Sequence, residues 1–154
     1  MERIEIIDFD ATFAYRFKEL NTAWLQKYFY VEPIDEEMLG QPKENILDKG
    51  GFIFFAKMDN EIAGTVALLQ NNKDEYEIGK MAVDERHQGQ KIGHLLMERC
   101  IEKCKELGVK KVILYSNTIL KPAIHLYQKF GFKEVPIINS EYKRSNIKME
   151  RNIA

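Results

Sequence analysis

The sequence predicts an α/β fold: a mixed, mostly antiparallel sheet of about six to seven strands, with helices on both faces and one parallel strand pair. Three observations predict it. Short β-prone runs are separated by turn residues at Asp59-Asn60 and again at Asn71-Asn72-Lys73-Asp74, which is the pattern of a meander. Residues 92–107 carry Ile92, Leu95, Leu96, Cys100, Cys104 and Leu107 on one helical face. That helix alone joins the strand ending at Val83 to the strand at 111–115, so the two should lie parallel and adjacent.

Each element follows from local chemistry. Residues 3–9 alternate Ile4 and Ile6 with Glu5, then Ile7 and Phe9 with Asp8, and predict a first strand with one slip. Asp10 or Thr12 can cap a helix that reaches Tyr28 or Tyr30, its apolar side formed by Phe13, Phe17, Leu20, Ala23, Trp24 and Tyr28. Glu32-Pro33 breaks it, Asp35 caps a second short helix to about Leu39, and residues 43–47 allow one more turn. Phe52-Ile53-Phe54-Phe55-Ala56 reads as a buried strand, residues 62–69 as its return and residues 76–83 as a third strand. Gly108 suits the end of the long helix, and Pro122 suits the first position of another, which Gly131 stops. Residues 132–135 and 147–151 can close the sheet as a last hairpin.

The chain has 154 residues, enough for a substantial core in one domain spanning 1–154. Its net charge of −1 gives no basic stripe for nucleic acid, and no apolar run is long enough to span a bilayer. The N-terminus alternates charge from its second residue, unlike a secretory leader, so a cytoplasmic location is expected. Cys100 and Cys104, one turn apart, read as buried small hydrophobes, and no second Cys or His cluster offers a metal site. His87, His94 and His125 are scattered and read as loop or surface residues.

The stretch from Lys80 to Leu107 organises the chain. The apolar run Met81-Ala82-Val83 gives way to charged Asp84, Glu85 and Arg86, then to Gly89 and Gly93, then to the helix. A helix entered from such a loop aims its first N–H groups and its positive dipole end at one spot, which favours a phosphate-like anion. The mononucleotide loop needs Gly-x-x-x-x-Gly-Lys-Ser/Thr, whereas here the glycines are one residue too close and His94 follows; the dinucleotide Gly-x-Gly-x-x-Gly is absent as well.

Two segments carry a resemblance. Gln88-Gly89-Gln90-Lys91-Ile92-Gly93 resembles motif A of the GNAT N-acetyltransferase superfamily, Arg/Gln-x-x-Gly-x-Gly/Ala. Ala123-Ile-His-Leu-Tyr127-Gln-Lys-Phe-Gly-Phe132 resembles motif B, whose core is Ala-x-x-Leu-Tyr-x-Lys-x-Gly-Phe. The resemblance implies acetyl-coenzyme A as co-substrate, no metal, and direct attack by the primary amine of a small molecule, amino acid or peptide, with a homodimer possible. It implies that residues Gln88, Gly89, Gln90, Lys91, Ile92, Gly93 and His94 hold the pyrophosphate. It also implies that the pantetheine arm lies between splayed parallel strands along Met81, Ala82 and Val83, with Asn117 as a further polar contact. Tyr127 is then the acid for the leaving thiolate and Glu77 the general base, with Glu75 a weaker alternative. Simple strand alternation puts Glu77 on the face of Gly79, Met81 and Val83. Trp24, Tyr28, Phe29 and Tyr30 fall where the family shapes its acceptor pocket. Lys91 departs from the family, replacing the middle glycine of motif A. A negative φ makes that exchange cheap; a positive φ asks for a different loop and weakens the site. The competing reading is a non-catalytic acyl-coenzyme A sensor or scaffold.

Overall fold

The computed structural model describes residues 3–89, 91–138 and 144–153. Seven strands form one sheet: β1 (Ile4–Asp8), β2 (Phe52–Met58), β3 (Glu61–Asn72), β4 (Glu75–Val83), β5 (Lys111–Ser116), β6 (Lys133–Val135) and β7 (Ile147–Asn152). Their spatial order is β1-β2-β3-β4-β5-β7-β6, and β4–β5 is the parallel pair. The helices are α1 (Ala14–Tyr28), α2 (Pro33–Gly40), α3 (Pro42–Asn45), α4 (Ile92–Leu107) and α5 (Lys121–Lys129).

Two hydrophobic layers explain why the strands read as they do. On one face, α4 buries Leu96, Met97, Cys100, Ile101 and Cys104 against Phe54, Val66, Leu68, Ile78, Val112 and Leu114. On the other, Phe17, Leu20 and Leu25 of α1 and Leu39 of α2 cover Ile53, Phe55, Ile62 and Ala67. β1 needs no slip, because Ile4 and Ile6 meet the α4 layer while Ile7 packs with the α1 layer. A strand apolar on both sides is what a sheet sandwiched by helices requires.

Some boundaries differ from expectation. Pro33 opens α2, and Asp35 is not its cap but its third residue, reaching back to accept from the Glu32 N–H at 2.9 Å. Pro122 is the second residue of α5, one place later than expected.

The larger correction concerns β4. Ala67 faces Gly79 while Thr65 faces Ala82, so three steps of β4 oppose two of β3. The extra residue is Lys80, in the left-handed region at φ 53°. This bulge resets the alternation. Tyr76 and Ile78 share the α4 face with Met81 and Val83, whereas Glu77 pairs with Leu69, on the α1 face with Ala82. Glu77 is therefore not on the face of Met81 and Val83, because uniform alternation fails across the bulge.

Gly64 of β3 lets the start of α4 sit close to the sheet: a Cβ there would lie 2.7 Å from Ile92 Cγ2 and 3.3 Å from Leu96 Cδ1. Both side chains are buried, so neither can swing away. Gly64→Ala should overpack this contact and cost about 1–3 kcal/mol, a fall in Tm of several degrees. Calorimetry on the variant checks it; an unchanged melt would mean that α4 is free to shift.

Candidate active site

The ladder between β4 and β5 runs from Glu75↔Lys111 to Ile78↔Leu114 and stops. Beyond it β4 stays paired with β3, and Tyr115 and Ser116 of β5 stay paired with β7. The parallel strands thus part after Ile78 and leave a cleft. Asp84 N–H donates to the Ala63 carbonyl at 2.8 Å. Alternation of backbone groups then turns those of Ala82 toward β3 and those of Met81 and Val83 toward the cleft.

The loop that follows β4 is anchored by charge. Arg86 donates to both Asp84 oxygens at 3.2 and 3.0 Å and also pairs with Glu61, while Arg16 of α1 reaches Asp84 at 3.1 Å. The Arg86 hydrogen bond, helped by Arg16, holds the Asp84 carboxyl far below the usual carboxylate range. Gln88 and Gly89 are exposed, and Gly89 has φ 83° with open space around it. Gln90 lies outside the described residues. Lys91 is the cap of α4 in the left-handed conformation, φ 62° and ψ 21°. So the costlier of the two alternatives for Lys91 holds, at roughly 1–2 kcal/mol for an L-residue. A lysine makes the turn that glycine would make freely, because the chain must reverse from extended Gln88 into α4.

Leu95 N–H makes the first helical bond, to the Lys91 carbonyl at 3.1 Å. The N–H groups of Ile92, Gly93 and His94 precede it at the positive end of the helix dipole. A Cβ on Gly93 would meet Leu126 Cδ2 at 3.6 Å and Met81 Sδ at 4.0 Å, which are ordinary contacts. The protein itself thus has room for a side chain where it has none, and α4, β4 and α5 converge there. His94 is exposed and packs against Phe130 with the rings tilted, centroids 4.9 Å apart.

Tyr127 of α5 packs in the α4 layer, edge-on to Phe132 at 6.3 Å. Burial pushes its hydroxyl up to about 12, against a hydrogen bond with Ser116 at the end of β5. Asn117 follows: its Nδ2 donates to the Arg144 carbonyl at 2.7 Å and its Oδ1 accepts from Ile119 N–H at 3.0 Å. Asn117 therefore clamps the β5–α5 connection to the chain ahead of β7. Glu75 is engaged by Asn71 at 2.9 Å and Lys111 at 3.3 Å, at the closed end of the β4–β5 pair. Trp24 packs on Tyr28 and Phe29 with centroids 5.4 and 5.6 Å apart and borders the α1 layer.

Sequence reasoning missed a charge cluster on the α1 side of the cleft. Lys80 and Asp35 have 4% and 0% of their side chains exposed, and Lys80 Nζ lies 2.5 Å from Asp35 Oδ1. Arg144 grips Asp35 with both ends of its guanidinium, at 2.7 and 3.0 Å, and reaches Glu32 Oε2 at 2.8 Å. Burial alone would raise the Asp35 carboxyl; bonds from Arg144, Lys80 and the Glu32 N–H outweigh it and hold it below the ordinary value. Burial draws the Lys80 amine below its ordinary value, against the pull of Asp35, and the Glu77 carboxylate acts on Lys80 from nearby. Removing one partner of such a cluster costs about 3–5 kcal/mol. The one sequence signal was a lysine inside the apolar stretch Ile78 to Val83.

Residues 15–132 match the family model described as Acetyltransferase (GNAT) family. The chain belongs to the GNAT acetyltransferase family. It is an acyltransferase by that membership. An uncharacterized N-acetyltransferase of Bacillus subtilis (strain 168), YvbK, is 31% identical over 105 residues, covering 66% of this chain and 68% of that protein. The crystal structure of a GNAT-family acetyltransferase from Staphylococcus aureus Mu50 superposes with a TM-score of 0.88 at 23% identity, covering 99% of this chain and all (100%) of that one. The yncA acetyltransferase structure from Salmonella typhimurium, solved with its cofactor acetyl-CoA, superposes at 0.77 with 16% identity, covering 99% and 95%.

The GNAT loop of this chain should be measurably strained at one residue. Lys91→Gly relieves the left-handed conformation and should stabilise by up to about 1 kcal/mol, part of the gain being offset by the freer unfolded chain. A denaturant titration should show a higher midpoint at unchanged slope. A lower midpoint would mean that the Lys91 side chain makes contacts worth more than the strain.

Proposed function

We propose that this chain transfers an acetyl group from acetyl-coenzyme A to a primary amine of a small molecule, amino acid or peptide, by direct attack within a ternary complex. The observation that carries the reading is the cleft itself. A strand edge with inward-facing backbone groups, a helix N-terminus at one end and a half-buried tyrosine share it. The edge of Met81 and Val83 suits an extended amide-bearing arm added as a strand. The N–H groups of Ile92, Gly93 and His94 suit a pyrophosphate, and the bare Gly93 allows close backbone approach. Gln88, Gly89 and the exposed Lys91 complete that anchor, Ala82 backs the strand edge, and Asn117 borders the far wall.

Chemistry at the thioester needs little from the protein. A thiol with pKa near 8.5 leaves readily, so a single donor suffices. In our reading Tyr127 is that donor: with its hydroxyl at about 12 it stays protonated throughout the working range. The amine must be neutral to attack, and Glu77, on the opposite face from Tyr127, takes its proton directly or through water. Acid and base on opposite faces of the cleft let the amine enter from the α1–α2 side while the sulfur leaves toward α5.

Thiol release from acetyl-coenzyme A against a panel of primary amines tests the activity. Tyr127→Phe should lower the maximal rate by roughly 10- to 1,000-fold with little change in the Michaelis constant for acetyl-coenzyme A. A normal rate with a lower melting point would make the hydroxyl a structural partner of Ser116 and favour a binding module instead. Glu77→Gln should slow turnover by roughly 10²- to 10⁴-fold with little change in coenzyme A affinity. Unchanged turnover in folded Glu77→Gln would leave proton removal to water.

A further inference from the structure

We propose that Asp35 and Arg144 are positioning residues that build the acceptor side of the cleft and set how the amine binds, leaving acetyl-coenzyme A binding untouched. The inference rests on the acetyl-transfer reading and extends it to the opposite face of the sheet. The α4 face is taken by α4, α5 and Tyr127. An amine must therefore reach the parted strands from the α1–α2 side, where Glu77 and the Lys80 bulge lie.

There the wall is not apolar. Asp35 accepts from the Glu32 N–H, from Lys80 and twice from Arg144, so its two oxygens are shared among three other residues. Those residues come from α2, from the bulge of β4 and from the chain just ahead of β7. Through its carbonyl, Arg144 is also clamped by Asn117, which adds the β5–α5 connection. One buried carboxylate thus joins three segments distant in sequence around the open end of the cleft, and the Asn117 bond to the Arg144 carbonyl adds a fourth.

Stability is a poor reason for this arrangement. Buried ion pairs seldom outdo well-packed apolar side chains, and their known use is to fix one geometry over others. Here the chain also holds Lys80 in a left-handed conformation within a strand to deliver its ammonium to Asp35. Strain of this kind gathers where surrounding structure must hold a site in place. Arg144 suits the task because its planar fork fixes direction as well as charge; lysine would supply charge alone.

The test uses the full chain and the amine that gives the fastest thiol release in the panel. Asp35→Asn keeps the size of the side chain and removes its charge; Arg144→Lys keeps the charge and removes the fork. Each should raise the Michaelis constant for that amine by about 10- to 100-fold, the cost of a misplaced wall. The calorimetric affinity for acetyl-coenzyme A should stay within about twofold, since the same substitutions leave the pyrophosphate loop alone. Should Asp35→Asn fail to fold, Arg144→Lys decides, because its partly exposed side chain is the more forgiving position. An unchanged amine constant in folded Arg144→Lys overturns the proposal, as does a parallel loss of amine and acetyl-coenzyme A affinity, which would signal general softening. Wild-type protein that binds no acetyl-coenzyme A takes down the proposed function and this inference together; wild-type turnover with an indifferent Arg144→Lys takes down this inference alone.

Discussion

A β-strand cannot leave a neighbour without exposing its hydrogen-bonding edge, and this structure is arranged around one such separation. β4 and β5 pair over four residues each and then part. The cause is visible on either side: β3 holds β4 through its bulge, and β7 holds β5 to its last residue. β7 lies between β5 and β6 and pairs with both, so β5 keeps a partner after it leaves β4. An internal edge of this kind is a template for an extended ligand in the way that an outer edge is a template for another chain. The remaining features, loop, helix terminus and tyrosine, are useful only because the separation brings them to one place.

Among the described residues three non-glycines have positive φ: Asp59 makes the β2–β3 turn, and the other two sit beside that separation. Lys80 and Lys91 both have positive φ, one in the β4 bulge and one at the helix entrance, and neither is a glycine. Lys80 is held by a buried carboxylate, so its cost has a visible counterweight. Lys91 is exposed, and its counterweight is the direction it gives the first turn of α4. The arginine network around Asp84 then fixes the base of the same loop to α1 and to the β2–β3 turn. The β4 bulge and the loop that follows β4 are therefore tied by ion pairs to α2 and α1.

The sequence was informative where one local rule decides the outcome. Helical spacing from Ile92 to Leu107 and the glycine at 108 located α4, and short apolar runs located the strands of the meander. The parallel pair followed from a single crossover helix. Two things were not legible, for different reasons. The bulge at Lys80 depends on how β3 and β4 count against each other, which is a property of two strands; that is why uniform alternation misplaced Glu77. The Asp35–Arg144 pair spans more than a hundred positions (|i−j| = 109), and no local pattern announces a contact at that distance. Asp35 even looked like a helix cap, because an acidic residue near a proline fits that role equally well until the hydrogen bond is seen.

The cysteines bear on which chemical route the cleft can support. Acyl transfer can run through a covalent enzyme thioester when a thiolate is available. Cys100 and Cys104 are the two cysteines of the chain, and both lie on the core side of α4. Burial pushes the Cys104 thiol up to about 11 and the Cys100 thiol higher still, so neither yields useful thiolate near neutrality. Their contribution is packing against the sheet, in the same layer that seats Tyr127. A route through an acyl-cysteine would need a nucleophile that this core withholds, which is why the proposed reaction has the amine attack the thioester itself. The same layer that raises the thiols raises the Tyr127 hydroxyl, so one apolar environment holds all three groups in their neutral forms.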